Sequence, residues 1–244
     1  MIRAQLHGRR LSLRPLVSSD FEVWKEVRRR NVDWLTKWEP RPPEGYPNDS
    51  VDRAAFSARC GAREREWQLG TGYGFGIFVS GLRGPNAAGG LRGPNAAGGL
   101  RGPNAAGGLR GPNAAVGQFS REMNLSGVQR GPFQNAYVGY WIDHAQAGNG
   151  YVPEALVVAA RFAFEDLNLH RLQVAIIPRN AASRRVVEKL GLREEGIAER
   201  YLSINGAWED HIRYAITVEE WADRRADLLR RWIEPEAHPM RRRR

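Results

Sequence analysis

The hydrophobic period changes twice between residues 135 and 178, and no other feature constrains the topology as tightly. "NAYVGYWID" (135–143) alternates as a strand. "PEALVVAARFAFEDLN" (153–168) repeats at helical spacing, with Ala155, Ala159, Phe162 and Phe164 or Leu167 on one stripe. "RLQVAIIP" (171–178) is a strand that Pro178 stops. A helix joining two strands makes a crossover, so this is the one parallel step in the sheet. The turn into the helix holds Gly148, Asn149 and Gly150, followed by Pro153 and Glu154, which suits a helix N-terminus. Glycines there let amide N–H groups point into the space above the helix, a geometry that binds phosphate. Spacing alone suits a ligand-free turn equally well.

The other segments supply antiparallel partners. "LSLRPLV" (11–17) reads as a strand, and "SSDFEVWKEVRRR" as a helix whose Ser19 and Glu22 are spaced as a capping box. A Pro-rich connector leads to a second helix, "DSVDRAAFSARCGAREREWQ", with Gly61 as its weak point. Strands follow at 72–79 and 116–128; the glycines of "GYGFGIFV" run into Ile77, Phe78 and Val79 rather than a helix, so they are no dinucleotide fingerprint. "NAASRRVVEKLGL" is a short helix with Asn180 at its N-cap and Gly191 ending it. A hairpin turns at Asn205-Gly206, and "EEWADRRADLLRRWIE" is an amphipathic terminal helix. The expected class is α/β, a mixed and mostly antiparallel sheet flanked by helices, in one domain over residues 1–233.

Residues 81–116 hold four copies of one nine-residue unit, "GLRGPNAAG" three times and then "GLRGPNAAV", between two strands. Gly, Pro, Asn and Ala with one Leu per unit cannot bury enough apolar surface to offset ordering, so the tract is expected to be a disordered insertion in a strand–strand loop. Each doubling of loop length costs only about 0.6 kcal/mol, and a coil of this length spans roughly 30–36 Å. Deleting three units is expected to change catalysis little. The tract carries four arginines and residues 241–244 four more; subtracting those eight from a net charge of +10 leaves +2, so the charge does not mark a folded nucleic-acid surface. Residues 234–244 read as a solvated basic tail. The single cysteine, Cys60, excludes an intramolecular disulfide, and no stretch reaches the roughly 18–20 apolar residues of a membrane span. The expectation is a soluble cytoplasmic protein with no membrane partner and no specific nucleic-acid binding.

"GYWIDHAQAGNGYVPEAL", then "IPRNAASRRVVEKLGLREEG" and "YLSINGAWEDHIRYA", together resemble the GNAT acetyltransferase superfamily, in its branch of ribosomal-protein alanine N-acetyltransferases. The resemblance covers 11–80 and 116–218. At the first and last positions of the family's diphosphate loop pattern stand Ala147 and Val152, a departure that leaves the loop to act through its backbone. The resemblance implies the GNAT fold, with acetyl-CoA entering between strands 135–143 and 171–178. Backbone groups around Trp141 and Ile142 would pair with the pantetheine arm, and amides of Gly148, Asn149, Gly150, Tyr151 and Val152 would hold the diphosphate. Asn180 is similar to an asparagine near the cofactor, and Ser183 to a serine facing the departing thiolate; an ordinary N-cap and a first-turn polar residue are the plain alternatives.

Amine attack on a thioester needs positioning, a polarised carbonyl and proton transfers. An α-amine with pKa about 7.7–8.0 is roughly 10–20% neutral at pH 7, against less than about 0.1% for lysine, so an α-amine acceptor needs little help from a base. Glu122 is the candidate base, with an exposed strand carboxylate as the alternative. Tyr201 would shape the acceptor site or donate a proton to sulfur, or is a packed hairpin tyrosine. His144, His170 and His211 lack ligand spacing, so no metal is expected. The implied acceptor is a protein N-terminus, with ribosome association, or a small amine; a non-catalytic acetyl-CoA-binding or RNA-associated module is the other class. Trp34, Trp38, Tyr46, Tyr201 and Trp208 either line the acceptor pocket or fill the core.

Overall fold

The computed structural model describes residues 5–42, 45, 50–80 and 118–234. The repeat tract, the basic tail beyond residue 234 and Tyr46 lie outside the described residues. Among the described residues eight strands share one sheet: β1 (Leu6–His7), β2 (Leu11–Arg14), β3 (Tyr73–Val79), β4 (Gln118–Gln129), β5 (Asn135–Ile142), β6 (Arg171–Ile176), β7 (Arg193–Ile204) and β8 (Ala207–Thr217). Their order is β1-β2-β3-β4-β5-β6-β8-β7, and every neighbouring pair is antiparallel except β5–β6. The period change near residue 150 therefore does produce the sheet's parallel step.

Helix α1 (Phe21–Arg30), the short α2 (Val32–Leu35) and α3 (Arg53–Leu69) precede β3. Trp24 and Val27 of α1 and Phe56 of α3 meet Phe78 and Phe119 on one face of the sheet. Gly61 does not interrupt α3, which Asp52 caps at Ala54 N–H (2.7 Å). The box expected of Ser19 and Glu22 does not form. Asp20 instead accepts from Val17 N–H (2.9 Å) and from Arg14 Nη1 and Nη2 (both 2.8 Å), because β2 delivers a guanidinium there, while Glu22 turns outward to Arg53.

The opposite face carries α4 (Tyr151–Arg161), extended by a π-helical turn over Phe162–Asp166. Every residue from Val152 to Ala160 is buried, not only the expected stripe. Two further helices account for this: α5 (Ala181–Lys189) and α6 (Val218–Trp232) pack on the side of α4 that the sheet leaves free, through Val187, Trp221, Leu228 and Trp232. Thr217 and Glu220 cap α6 reciprocally. Asn205 (φ 47°) and Gly206 (φ 86°) form the two-residue turn between β7 and β8.

Candidate active site

Strands β5 and β6 pair at only three positions, Asn135–Arg171, Ala136–Leu172 and Tyr137–Gln173. Past Tyr137 the two strands diverge. The end of β5 is fastened elsewhere: the buried Asp143 carboxylate binds Arg30 and accepts from Asn31 Nδ2 (2.8 Å), and Asn31 Oδ1 accepts from His144 N–H (2.8 Å). Burial pushes the Asp143 pKa up, but the Arg30 and Asn31 contacts outweigh it and hold it below the usual carboxylate value. On the other side, β6 ends before Pro178, and Asn180 starts α5 by accepting from Ser183 N–H (3.1 Å). One strand is pulled toward α1 and the other is replaced by α5.

The gap is a cavity of about 330 Å³. Tyr140, Trp141 and Ile142 form one wall, Asn180, Ser183 and Val186 the other, and Gly148, Gly150, Tyr151 and Val152 close one end. Trp34 and Trp38 also line it, and the Trp34 ring lies 4.5 Å from His144. Gly148 (φ 83°) and Gly150 (φ 76°) are left-handed, which only glycine adopts freely. A side chain at Gly148 would meet nothing within 4 Å, so the loop is open to the cavity. Among the described residues no side chain caps α4, and its first turn starts at the loop that closes the cavity.

Most residues singled out from sequence thus surround one space; Asn149 sits in the same loop. Two do not. Glu122 lies on the α1–α3 face, where a small cavity of about 90 Å³ opens beside Arg59 and Cys60. It is not an exposed strand carboxylate: it accepts from Trp24 Nε1 (2.5 Å), Trp141 Nε1 (3.3 Å) and Arg59 Nη2 (2.6 Å). Burial raises its pKa, yet Arg59 and the Trp24 hydrogen bond win, and it stays below the ordinary value. Tyr201, on β7, packs against His211 (5.6 Å between rings) under the Arg213 guanidinium and is not among the residues that line the cavity. Trp208 is exposed.

Sequence reasoning missed four residues. Tyr140 is half-buried at the gap, its hydroxyl donating to Ser183 O (3.4 Å); desolvation drives its pKa well above the ordinary phenol value. Arg185 and Lys189 line the cavity one turn apart on α5, and their i, i+4 spacing was the available signal. The fourth is Arg10, whose Nε meets the fully buried Glu154 at 2.7 Å. A lone carboxylate on an apolar helix needed a partner, which was the clue. Among the described residues no group of three or more metal-ligating side chains comes together.

Comparison with known proteins fits this geometry. The Acetyltransferase (GNAT) domain family matches residues 10–193. The probable N-acetyltransferase YjcK of Bacillus subtilis (strain 168) is 44% identical over 94 residues, 38% of this chain and 52% of that protein. The [ribosomal protein uS5]-alanine N-acetyltransferase of Escherichia coli (strain K12) is 38% identical over 98 residues, 40% of this chain and 50% of that protein. The chain spans about half the length of these two relatives. Among solved structures, Mycobacterium smegmatis RimJ in complex with CoA-disulfide superposes with a TM-score of 0.70 at 26% identity, covering 93% of this chain and 92% of that one. The ribosomal-protein-S5-alanine acetyltransferase of Vibrio fischeri gives 0.67 at 25% identity, with 89% and 98% covered.

Proposed function

Because the chain belongs to the GNAT acetyltransferase family, we propose that it transfers an acetyl group from acetyl-CoA to the N-terminal α-amine of a protein, an alanine-initiated ribosomal protein being the acceptor class. The observation that carries this reading is the three-pair β5–β6 ladder opening onto a glycine loop and a helix start. A long, thin ligand with an anionic end fits that shape. Acetyl-CoA supplies the acetyl group as an activated thioester.

The residues divide the work by chemistry. Backbone groups of Trp141 and Ile142, on the side of β5 that β6 has left, pair with the pantetheine amides as a third strand would. Amides from Gly148 to Val152 hold the diphosphate at the positive end of α4, and Arg185 and Lys189 flank it as cations. Asn180 fixes the start of α5 and with it Ser183. The Tyr140 hydroxyl, kept protonated by burial, and the Ser183 hydroxyl stand ready to donate to the departing sulfur. Glu122 orients the Trp141 indole, and its lowered pKa makes it a poor proton acceptor. The attacking α-amine loses its proton to water, as its pKa permits. Tyr201, with Arg213 over its ring, belongs to the acceptor side. The uS5-alanine acetyltransferases among the relatives support the acceptor class.

Thiol release from acetyl-CoA, followed with N-terminal peptides, lysine peptides and small amines, tests the reading. Turnover with an alanine-initiated peptide at least about tenfold above a lysine peptide at pH 7 is expected. Preference for a small amine would overturn the acceptor class, and tight CoA binding without turnover on any amine would overturn the catalytic assignment.

A further inference from the structure

Glu154 stands in the first turn of α4 with no solvent-exposed side-chain surface, beneath the amides assigned to the diphosphate. A carboxylate buried close to an incoming dianion opposes it, and water cannot screen the charge. Gly8 closes the space above: a Cβ there would lie 2.7 Å from Glu154 Oε1. Arg10 answers the charge from the start of β2. Its backbone N–H donates to Glu154 Oε1 (2.6 Å), its Nε to Oε2 (2.7 Å) and its Nη1 to Asn149 O (3.1 Å). One guanidinium thus touches the carboxylate and the loop together. Its Cζ lies 4.8 Å from the Tyr151 ring centroid, and Arg121 approaches the same ring at 4.6 Å. Arg121 is fully buried; among the described residues its guanidinium is hydrogen-bonded to Ser120 Oγ, and its Nη1 has no hydrogen-bond partner. Burial lowers its pKa to about 9, which leaves it a cation at neutral pH.

We propose that Arg10 is a positioning residue for the diphosphate loop: by cancelling Glu154 and clamping Asn149, it sets the loop's affinity for the anionic end of the coenzyme. This rests on the acetyl-CoA reading above. The loop's glycines give it its shape, and the sign of the field within it comes from a strand 139 residues away in sequence. A pair that merely glues β2 to α4 would behave differently. Removing either partner would then loosen the loop alike. If the pair works through charge, its two halves act in opposite directions.

The test compares Arg10→Gln, Glu154→Gln and the double variant by calorimetric titration with CoA at low salt, with the melting temperature of each free protein as the folding control. Arg10→Gln is expected to raise Kd at least about tenfold, or roughly 1.4 kcal/mol. Glu154→Gln is expected to lower it by about two- to fivefold, the size of one charge at a helix end. The double variant should recover most of the Arg10→Gln loss, because the uncancelled charge is gone. Both single variants weakening CoA alike, or neither changing Kd, would overturn the proposal. Should Arg10→Gln fail to fold, weaker CoA binding by Glu154→Gln alone overturns it. Wild-type protein giving no heat with CoA would instead remove the acetyl-CoA reading itself, a distinct result.

Discussion

Replacing Glu122 by Gln separates a structural carboxylate from a catalytic one. Glu122 receives three donors, and an amide keeps one acceptor oxygen while presenting an N–H₂ group to a donor that also points inward. The Glu122 side chain is 15% exposed and that of Arg59 is 26% exposed. The cost therefore falls below the 3–5 kcal/mol of a fully buried pair, at about 2–3 kcal/mol. For a domain of this size each kcal/mol moves Tm by about 2–4 °C, so a drop of about 4–12 °C is expected. Catalysis should respond far less. Trp141 loses one long hydrogen bond, and kcat measured well below Tm with saturating acetyl-CoA should fall by less than about fivefold, roughly 1 kcal/mol. Scanning calorimetry and thiol-release kinetics on the same preparation give both numbers. A loss of kcat of about a hundredfold or more with Tm unchanged would refute the argument and make Glu122 the base.

The pH dependence gives a second check: with Glu122 held ionised, the rise of kcat/KM for an α-amine peptide should track the amine, with an apparent pKa of about 7.7–8.0, and an inflection near 4–5 would contradict it. Gly150→Val should cost about 2 kcal/mol, because a β-branched residue at φ 76° is strained even though its Cβ would meet Arg10 and Trp232 only at ordinary contact distance; CoA titration should show weaker binding as well. Asp143→Asn removes a carboxylate whose folded pKa lies below its unfolded one, so the stability it provides exists above about pH 4 and is lost as pH falls through the folded value. The variant should therefore be about 1–3 kcal/mol less stable at pH 7 by urea denaturation, with the gap closing toward pH 3. A constant gap across that range would sink the assignment.

What could be read from the chain was local. The period change at 135–178, Asn180 as a cap and the Asn205-Gly206 turn depend on neighbours a few residues away. The misses share a cause in long-range partners. Glu122 alternates outward on β4, yet Trp24 and Arg59 come from α1 and α3 to cover it, 98 and 63 residues off in sequence. Ser19 lost its role to Asp20 because Arg14 lay within reach. The stripe on α4 is real but incomplete, since nothing in 153–168 announces that α6 will bury the other side. Nothing in the residues around Arg10 marks it for a role, because its partner Glu154 lies 144 residues away.

The brief β5–β6 ladder also makes a seam. On one side lies a five-strand meander, β1 to β5, and on the other a three-strand unit, β6, β8 and β7, stitched along the sheet by three residue pairs. Breathing should begin there, with amides at 138–142 exchanging before those of β3 and β4. A coenzyme seated in the wedge bridges the seam like a rivet, and at a hundred times its Kd would add about 2.7 kcal/mol to the fold. On the proposed reading, the persistence of this protein in a cell would follow the metabolic supply of the molecule that completes its sheet.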